Sequence, residues 1–375
     1  MEATKKFELT DNVIEFNGIT LHRIKALKDF SNVKAGDLGG WIEKENNLSQ
    51  SGDAWIGGDA KVCDNAKAFG NAQIYGNVQI YGNAQICGKA QVFGNAQVCG
   101  NTSVYGTALI YGGAKVYGNA EVYDNTEVYG NAEVYDNAEV YGNAQICGKA
   151  QVFGNAQICG NAIVFDDAII YDNAEVYGNA NVYGNAKICG DAEVYDNARV
   201  YGNAILYGNT LVCGSTNIYG NAWVYGKSKV YGNAHICDNA KVCGSARVYN
   251  HAMVGDNAMV FGNAEVYDNA RIYNYALIYG NAKVYGNAKV SGYAIVSHNA
   301  QVYGLAKIYG NAWVYDNAVA FGKSKIFGGA HIYGNAKVFD YAEVFGDAHI
   351  CDETKVCGEA KVCDNAYNTK NKNEE

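Results

Sequence analysis

From Ala54 onward one six-residue phrase repeats: a small residue, a variable one, a branched apolar one, an aromatic one, then two corner residues, mostly Gly or Asp followed by Asn. The stretch "YGNAEVYDNAEVYGNAQICG", residues 129–148, says it three times and begins a fourth. The phase holds without insertion or deletion over residues 54–365, which is 52 hexads. The small slot is alanine except at Val78, Thr102, Thr126, Thr210, Thr216, Ser228, Ser324 and Thr354. The branched slot is valine or isoleucine from Ile56 to Val362, except at Leu206, Ala68 and Ala320. Alternation over four residues predicts a short strand with the small and branched slots inward and the variable and aromatic slots outward. The Gly/Asp–Asn pair tolerates positive φ and so predicts a sharp corner. A helix does not fit, because a six-residue period drifts against 3.6 and places a glycine in nearly every second turn. Strands that turn every six residues coil, and the coils stack as parallel sheets about 4.8 Å apart.

The period alone does not count the sides of the coil. The phrase I/V-x-G-N-A-x resembles the hexapeptide repeat of left-handed β-helices, which implies three hexads per triangular coil of eighteen residues. On that reading the fold class is all-β: a single-stranded parallel β-solenoid of about seventeen coils, roughly 80 Å long. Left-handedness comes from the resemblance; a right-handed β-helix of the bactofilin type is the alternative. The first fifty residues differ. "VIEFNGITLHRI" predicts a hairpin turning at Asn17-Gly18, and a solenoid needs such a cap over its open strand edges. The segment "DFSNVKAGDLGGWIE" through "NLSQSGDAWI" also resembles the start of the YdcK-type bacterial hexapeptide-repeat proteins, and that resemblance implies an acyltransferase-like architecture. The expected organisation is a capping segment at 1–47, a hexapeptide solenoid at 48–367 and a polar tail at 368–375.

Composition sharpens this only a little. At 375 residues an ordinary chain would hold two or three domains, but an internal repeat overrides that expectation. With 45 glycines, 31 tyrosines and no proline the chain reads as extended β structure. A net charge of -9 argues against a generally basic nucleic-acid binder, while leaving room for a local basic strip. No apolar run has signal-peptide or bilayer-spanning length, so a cytoplasmic protein with no membrane partner is expected.

All twelve cysteines occupy the aromatic slot, and none lies eighteen residues from another. The nearest same-face pair, Cys63 and Cys99, would be about 9.6 Å apart, beyond a disulfide, so free and largely outward thiols are expected. There is no C-x-x-C pair, and the six histidines are scattered: His22 in the hairpin, His235, His331 and His349 in variable slots, His251 and His298 at corners. His331, His349 and Cys351 stack near one another without matching a metal motif. No cofactor, metal or catalytic residue is expected. Arg271, Lys289, Lys307 and Lys325 form one column; it reads as a strip for an anionic polymer or, more simply, as solvated lysines. The stretch "AQICGKAQVFGNAQ" occurs at 84–97 and again at 144–157, a shift of sixty residues that ignores facing and suits a spacer.

One column breaks the monotony. Every eighteenth variable slot gives Ile205, Trp223, Lys241, Met259, Leu277, Ile295 and Trp313, six of the seven apolar where solvent is expected. Beside them run Tyr207, Tyr225, Cys243, Phe261, Tyr279, Ser297 and Tyr315. A stripe of this kind marks an interface, here Ile205, Trp223, Met259, Phe261, Leu277, Ile295 and Trp313. The sequence therefore reads as a non-catalytic rigid scaffold that self-associates or binds a protein partner through one apolar face. The second reading is a hexapeptide acyltransferase using acyl-coenzyme A, and the third a carbohydrate-binding solenoid.

Overall fold

The computed structural model describes residues 5–364; the expected polar tail at 368–375 lies outside them. The described residues fall into two compact units that divide between Asn185 and Ala186. The helical content among the described residues is one 3-10 turn, Glu45–Asn47, and no helix is long and apolar enough to cross a membrane.

In the first unit β1 (Phe7–Phe16) and β2 (Ile19–Ala26) pair antiparallel, with Asn17 and Gly18 at φ 51° and 78° carrying the turn. The strand β3 (Leu38–Ile42) pairs antiparallel with β2 and parallel with Lys61–Val62, which joins the hairpin to the first coil. Gly39 and Gly40 make that join possible, since a Cβ on either would sit 2.6 Å from a carbonyl oxygen of the coil, Ile56 for Gly39 and Ala60 for Gly40. The Lys6 ammonium is buried here and donates to the Ala54 carbonyl at 2.9 Å.

From Trp55 on, each hexad is one short strand, and within each unit strands eighteen residues apart pair in parallel. Three sheets result in each unit. We give the name face one to the sheet of Gln79, Gln97 and Lys115 in the first unit and to that of Lys187 and Ile205 in the second. Face two holds Gln85, Ser103 and Glu121, and in the second unit Leu211 and Lys229. Face three holds Gln73 and Gln91, and in the second unit Arg199 and Asn217. The two copies of the duplicated phrase do face differently, Gln85 on face two and Gln145 on face three.

Three backbone hydrogen bonds per hexad tie coil to coil. Glu121 N–H donates to the Ala138 carbonyl at 3.0 Å, Tyr123 to Val140 at 3.0 Å and Asn125 to Gly142 at 2.8 Å. The small and branched slots point inward and are fully buried, as at Ala132, Val134, Ala138 and Val140. At some Thr and Ser of the small slot the hydroxyl turns back on the chain: Thr126 donates to the Tyr123 carbonyl at 2.5 Å and Ser228 to the Tyr225 carbonyl at 3.0 Å, whereas the buried hydroxyls of Thr210, Thr216 and Ser324 have no partner among the described residues. At the corners Gly130 takes φ 70°, and a Cβ there would meet the Gly148 nitrogen and oxygen at 3.0 Å. Aspartate is the usual replacement because its carboxylate gains a partner. Gly142 N–H donates to Asp124 at 3.3 Å and Gly214 N–H to Asp196 at 3.1 Å, satisfying corner donors outside the strand ladder. The following asparagines form amide ladders, such as Asn101–Asn119–Asn137 at 2.9 and 3.0 Å.

The aromatic slot is less exposed than an outward assignment implies, because rings eighteen residues apart stack and cover each other. On face two of the second unit Tyr231, Tyr249, Tyr267, Tyr285, Tyr303, Phe321 and Phe339 stack in one run at 4.8 to 5.1 Å. The same crowding narrows the expectation of largely outward thiols, which fails at four of the twelve positions. All twelve cysteines are free, but Cys63, Cys189, Cys237 and Cys243 are buried, and only Cys357 and Cys363 are fully exposed. Burial first, then nearby aspartate, pushes the Cys63 and Cys237 thiols up to about 11. A maleimide reagent on native protein at neutral pH will therefore modify Cys357 and Cys363 first and leave the four buried thiols until denaturant is added. Twelve equally fast sites in a mass-spectrometric time course would contradict this packing.

Candidate functional site

The apolar column lies wholly within the second unit. Strand pairing places Ile205, Trp223, Lys241, Met259, Leu277, Ile295 and Trp313 in one parallel, in-register ladder on face one, which continues to His331 and His349. Trp223 and Trp313 are exposed, at 39% and 41%, while Ile205, Met259, Leu277 and Ile295 are half-buried between their neighbours. Lys241 interrupts the run, but its ammonium lies 5.4 Å from the Trp223 ring centre, so its charge is drawn onto an aromatic face. Each tryptophan also braces its own strand's tyrosine or the preceding one edge-on: Trp223 against Tyr207 and Trp313 against Tyr315, both at 6.4 Å.

The flanking aromatic column is broken in an informative place. Phe261 stacks on Tyr279 at 4.9 Å, but the next rung is Ser297, fully packed away at 2% exposure. The corner residue His298, at φ 56°, turns its ring into the gap, 6.4 Å from Tyr279 and 6.5 Å from Tyr315, with Ser297 Oγ 3.2 Å from its Nδ1. An imidazole from the corner thus replaces the missing ring. The sequence shows the serine, but not that its neighbour compensates.

Two further residues belong to the surface and were not singled out by the strand pattern. The corner amide ladder Asn203–Asn221–Asn239–Asn257 gives way to Tyr275 and Tyr293, which stack on each other at 4.9 Å and are 51% and 61% exposed. They directly precede the Leu277 and Ile295 strands, so the apolar column widens at mid-length. The signal was available: the corner slot departs from asparagine there.

Past the second tryptophan the ladder turns polar. Trp313 stacks on His331 at 5.1 Å and His331 on His349 at 4.8 Å. Burial, then the neighbouring His349, lowers the His331 pKa. The Cys351 thiol on the same strand donates to the Asp352 carboxylate at 3.4 Å. Among the described residues no group of three or more His, Cys, Asp or Glu converges to hold a metal. The remaining histidines are dispersed: His22 contacts the Thr10 carbonyl at 3.3 Å, His251 contacts Asn233 at 3.5 Å, and His235 stands between Asn217 and Met253 on face three.

A closed hydrophobic interior wrapped by three parallel sheets, with chemistry confined to side-chain columns on flat outer faces, defines a β-solenoid repeat protein. Residues 72–88, 156–172 and 192–214 match the model of the YdcK β-solenoid repeat, so these stretches are similar to that family. No curated protein matches the chain significantly.

Proposed function

We propose that the protein is a non-catalytic, left-handed cytoplasmic solenoid that acts as a rigid scaffold and self-associates through the apolar ladder of its second unit. The observation that carries this reading is the ladder itself, with exposed Trp223 and Trp313, half-buried Met259, Leu277 and Ile295, and the corner pair Tyr275–Tyr293. Seven rungs at about 4.8 Å span roughly 30 Å, and two flanking columns bring the apolar surface to the size that marks interfaces. The ladder is also self-complementary. A two-fold axis through Met259 would set Trp223 over Ile295 and Trp313 over Ile205, a large side chain against a medium one at these rungs, with Lys241 over Leu277 and Met259 over its own copy.

The alternatives draw less support. In the long face-two ladder the faces of Tyr249, Tyr267 and Tyr285 are covered by the rings above and below, leaving edges rather than the open faces on which a sugar ring stacks. The hexad phase leaves no extruded loop to shape an acyl-coenzyme A groove. Sedimentation velocity tests the proposal. The wild type should sediment as an oligomer, and the double variant Trp223→Asp/Trp313→Asp, with unchanged circular dichroism, should shift to the monomer. A wild type that is monomeric at high concentration, or a double variant that stays assembled, removes this surface from consideration.

A further inference from the structure

We propose that face three of the second unit carries a binding site for a linear polyphosphate chain, held by Arg271, Lys289 and Lys307. These residues and Lys325 stack in register on successive strands. Like charges on directly neighbouring strands repel. At two other places in this unit carboxylates relieve such crowding. Glu265 lies 3.5 Å from both Arg247 and Lys283, and Glu343 lies 2.7 Å from Lys325 and 3.4 Å from Lys361. Among the described residues Arg271, Lys289 and Lys307 have no carboxylate within ion-pair distance. Three uncompensated cations remain side by side on a chain whose net charge is -9.

A second departure from the repeat falls beside the first. The corner column that leads into these strands runs Asn269, Asn287, Leu305, Lys323 and Tyr341, so three successive corners lose their asparagine. Leu305 is 48% and Tyr341 57% exposed, and Lys323 donates to the Tyr341 hydroxyl at 2.9 Å with its ammonium 4.7 Å from the ring. The raised corner and the lysine column form the two walls of an open groove of about 590 Å³ that contains Lys289, Leu305, Lys307 and Lys323. Glu343 and Glu359 close its far end, so an anionic chain would lie over Lys307 and Lys289 and leave toward Arg271.

Charge density selects the ligand class. Three cations at about 4.8 Å spacing ask for about three negative charges along roughly 10 Å. A chain with a charge on every phosphorus meets that density. An extended acidic peptide presents same-side carboxylates only every second residue, about 6.7 Å apart. Beside these cations Tyr309 stacks on Phe327 at 4.8 Å, but Ser291 breaks the column of rings between Tyr273 and Tyr309, so single-stranded nucleic acid is the competitor that the test must separate.

The test is fluorescence anisotropy with end-labelled inorganic polyphosphate, competed by orthophosphate, poly-glutamate or single-stranded oligonucleotide. Wild-type protein should bind polyphosphate, with affinity falling about tenfold or more between about 50 and 200 mM salt. Lys289→Glu/Lys307→Glu should weaken binding by at least about tenfold and flatten the salt slope, whereas Lys187→Glu/Lys227→Glu, placed away from the groove, should bind like wild type. Both variants should keep the wild-type circular dichroism and sedimentation coefficient, which separates this site from the self-association surface. The proposal fails if polyphosphate does not bind at low salt, if the two double variants weaken it equally, or if orthophosphate, poly-glutamate or the oligonucleotide competes as well as polyphosphate.

Discussion

Raising the pH from 10 toward 12 is expected to destabilise the second unit progressively. The cause is the stacked tyrosines. Tyr267 is pushed up to about 12 by burial, then by the neighbouring Tyr285. Tyr219 reaches about 12 through burial and the Cys237 thiol, and Tyr225 about 12 through the Cys243 thiol beside it and then burial. Tyr249 is raised further still by burial and by Glu265. In the unfolded chain these phenols ionise near their ordinary value of about 10. Between about 10 and 12 the native state therefore holds protons that the unfolded state has lost, so stability, fully present below pH 10, falls as pH rises through that window. In the first unit Tyr105, raised to about 12 by burial and then Glu121, acts in the same direction. Lys6 acts oppositely: burial lowers it to about 8, so its contribution to stability rises between about 8 and 10. Denaturant melts across pH 8 to 12, followed alongside tyrosinate absorbance, check this. Tyrosines that titrate near 10 with an unmoved melting midpoint would mean that the ladders do not stack as described.

The second large effect is expected from the interior. Ala138 is fully buried, its column neighbours Ala120 and Ala156 are equally buried, and Glu121 N–H bonds its carbonyl at 3.0 Å. Ala138→Leu pushes three extra carbons into a space bounded by backbone hydrogen-bonded to the next coil, and should cost about 1–3 kcal/mol or more. Ala138→Thr should cost less, because threonine already fills this slot at Thr126, with its hydroxyl bonded to the carbonyl three residues back. Urea unfolding at neutral pH measures both. Leucine and threonine variants with the same midpoint as wild type would show that the small slot does not face a packed interior.

Most of the fold was legible because a six-residue repeat, taken three to a coil as its resemblance to hexapeptide β-helices implies, turns sequence distance into spatial adjacency. Any pair eighteen apart becomes a cross-strand pair, so the Ile205-to-Trp313 ladder and the Arg271-to-Lys325 column could be read directly. Inward and outward facing followed from alternation over Ala, x, Val and Tyr, and Asn17-Gly18 placed the hairpin turn. What sequence could not supply were contacts that leave this register. His298 reaches from a corner into the rung vacated by Ser297, Lys241 folds onto Trp223, and Lys323 leans on Tyr341. Each depends on the direction a side chain takes from its backbone, which a period does not encode. Thiol burial is of the same kind. Cys237 and Cys357 occupy one slot of the repeat, yet the first is covered by surrounding coils and the second is exposed on the final turns. The repeat determined which residues are neighbours; the packing of whole side chains around each position decided which are covered, charged or open to a partner.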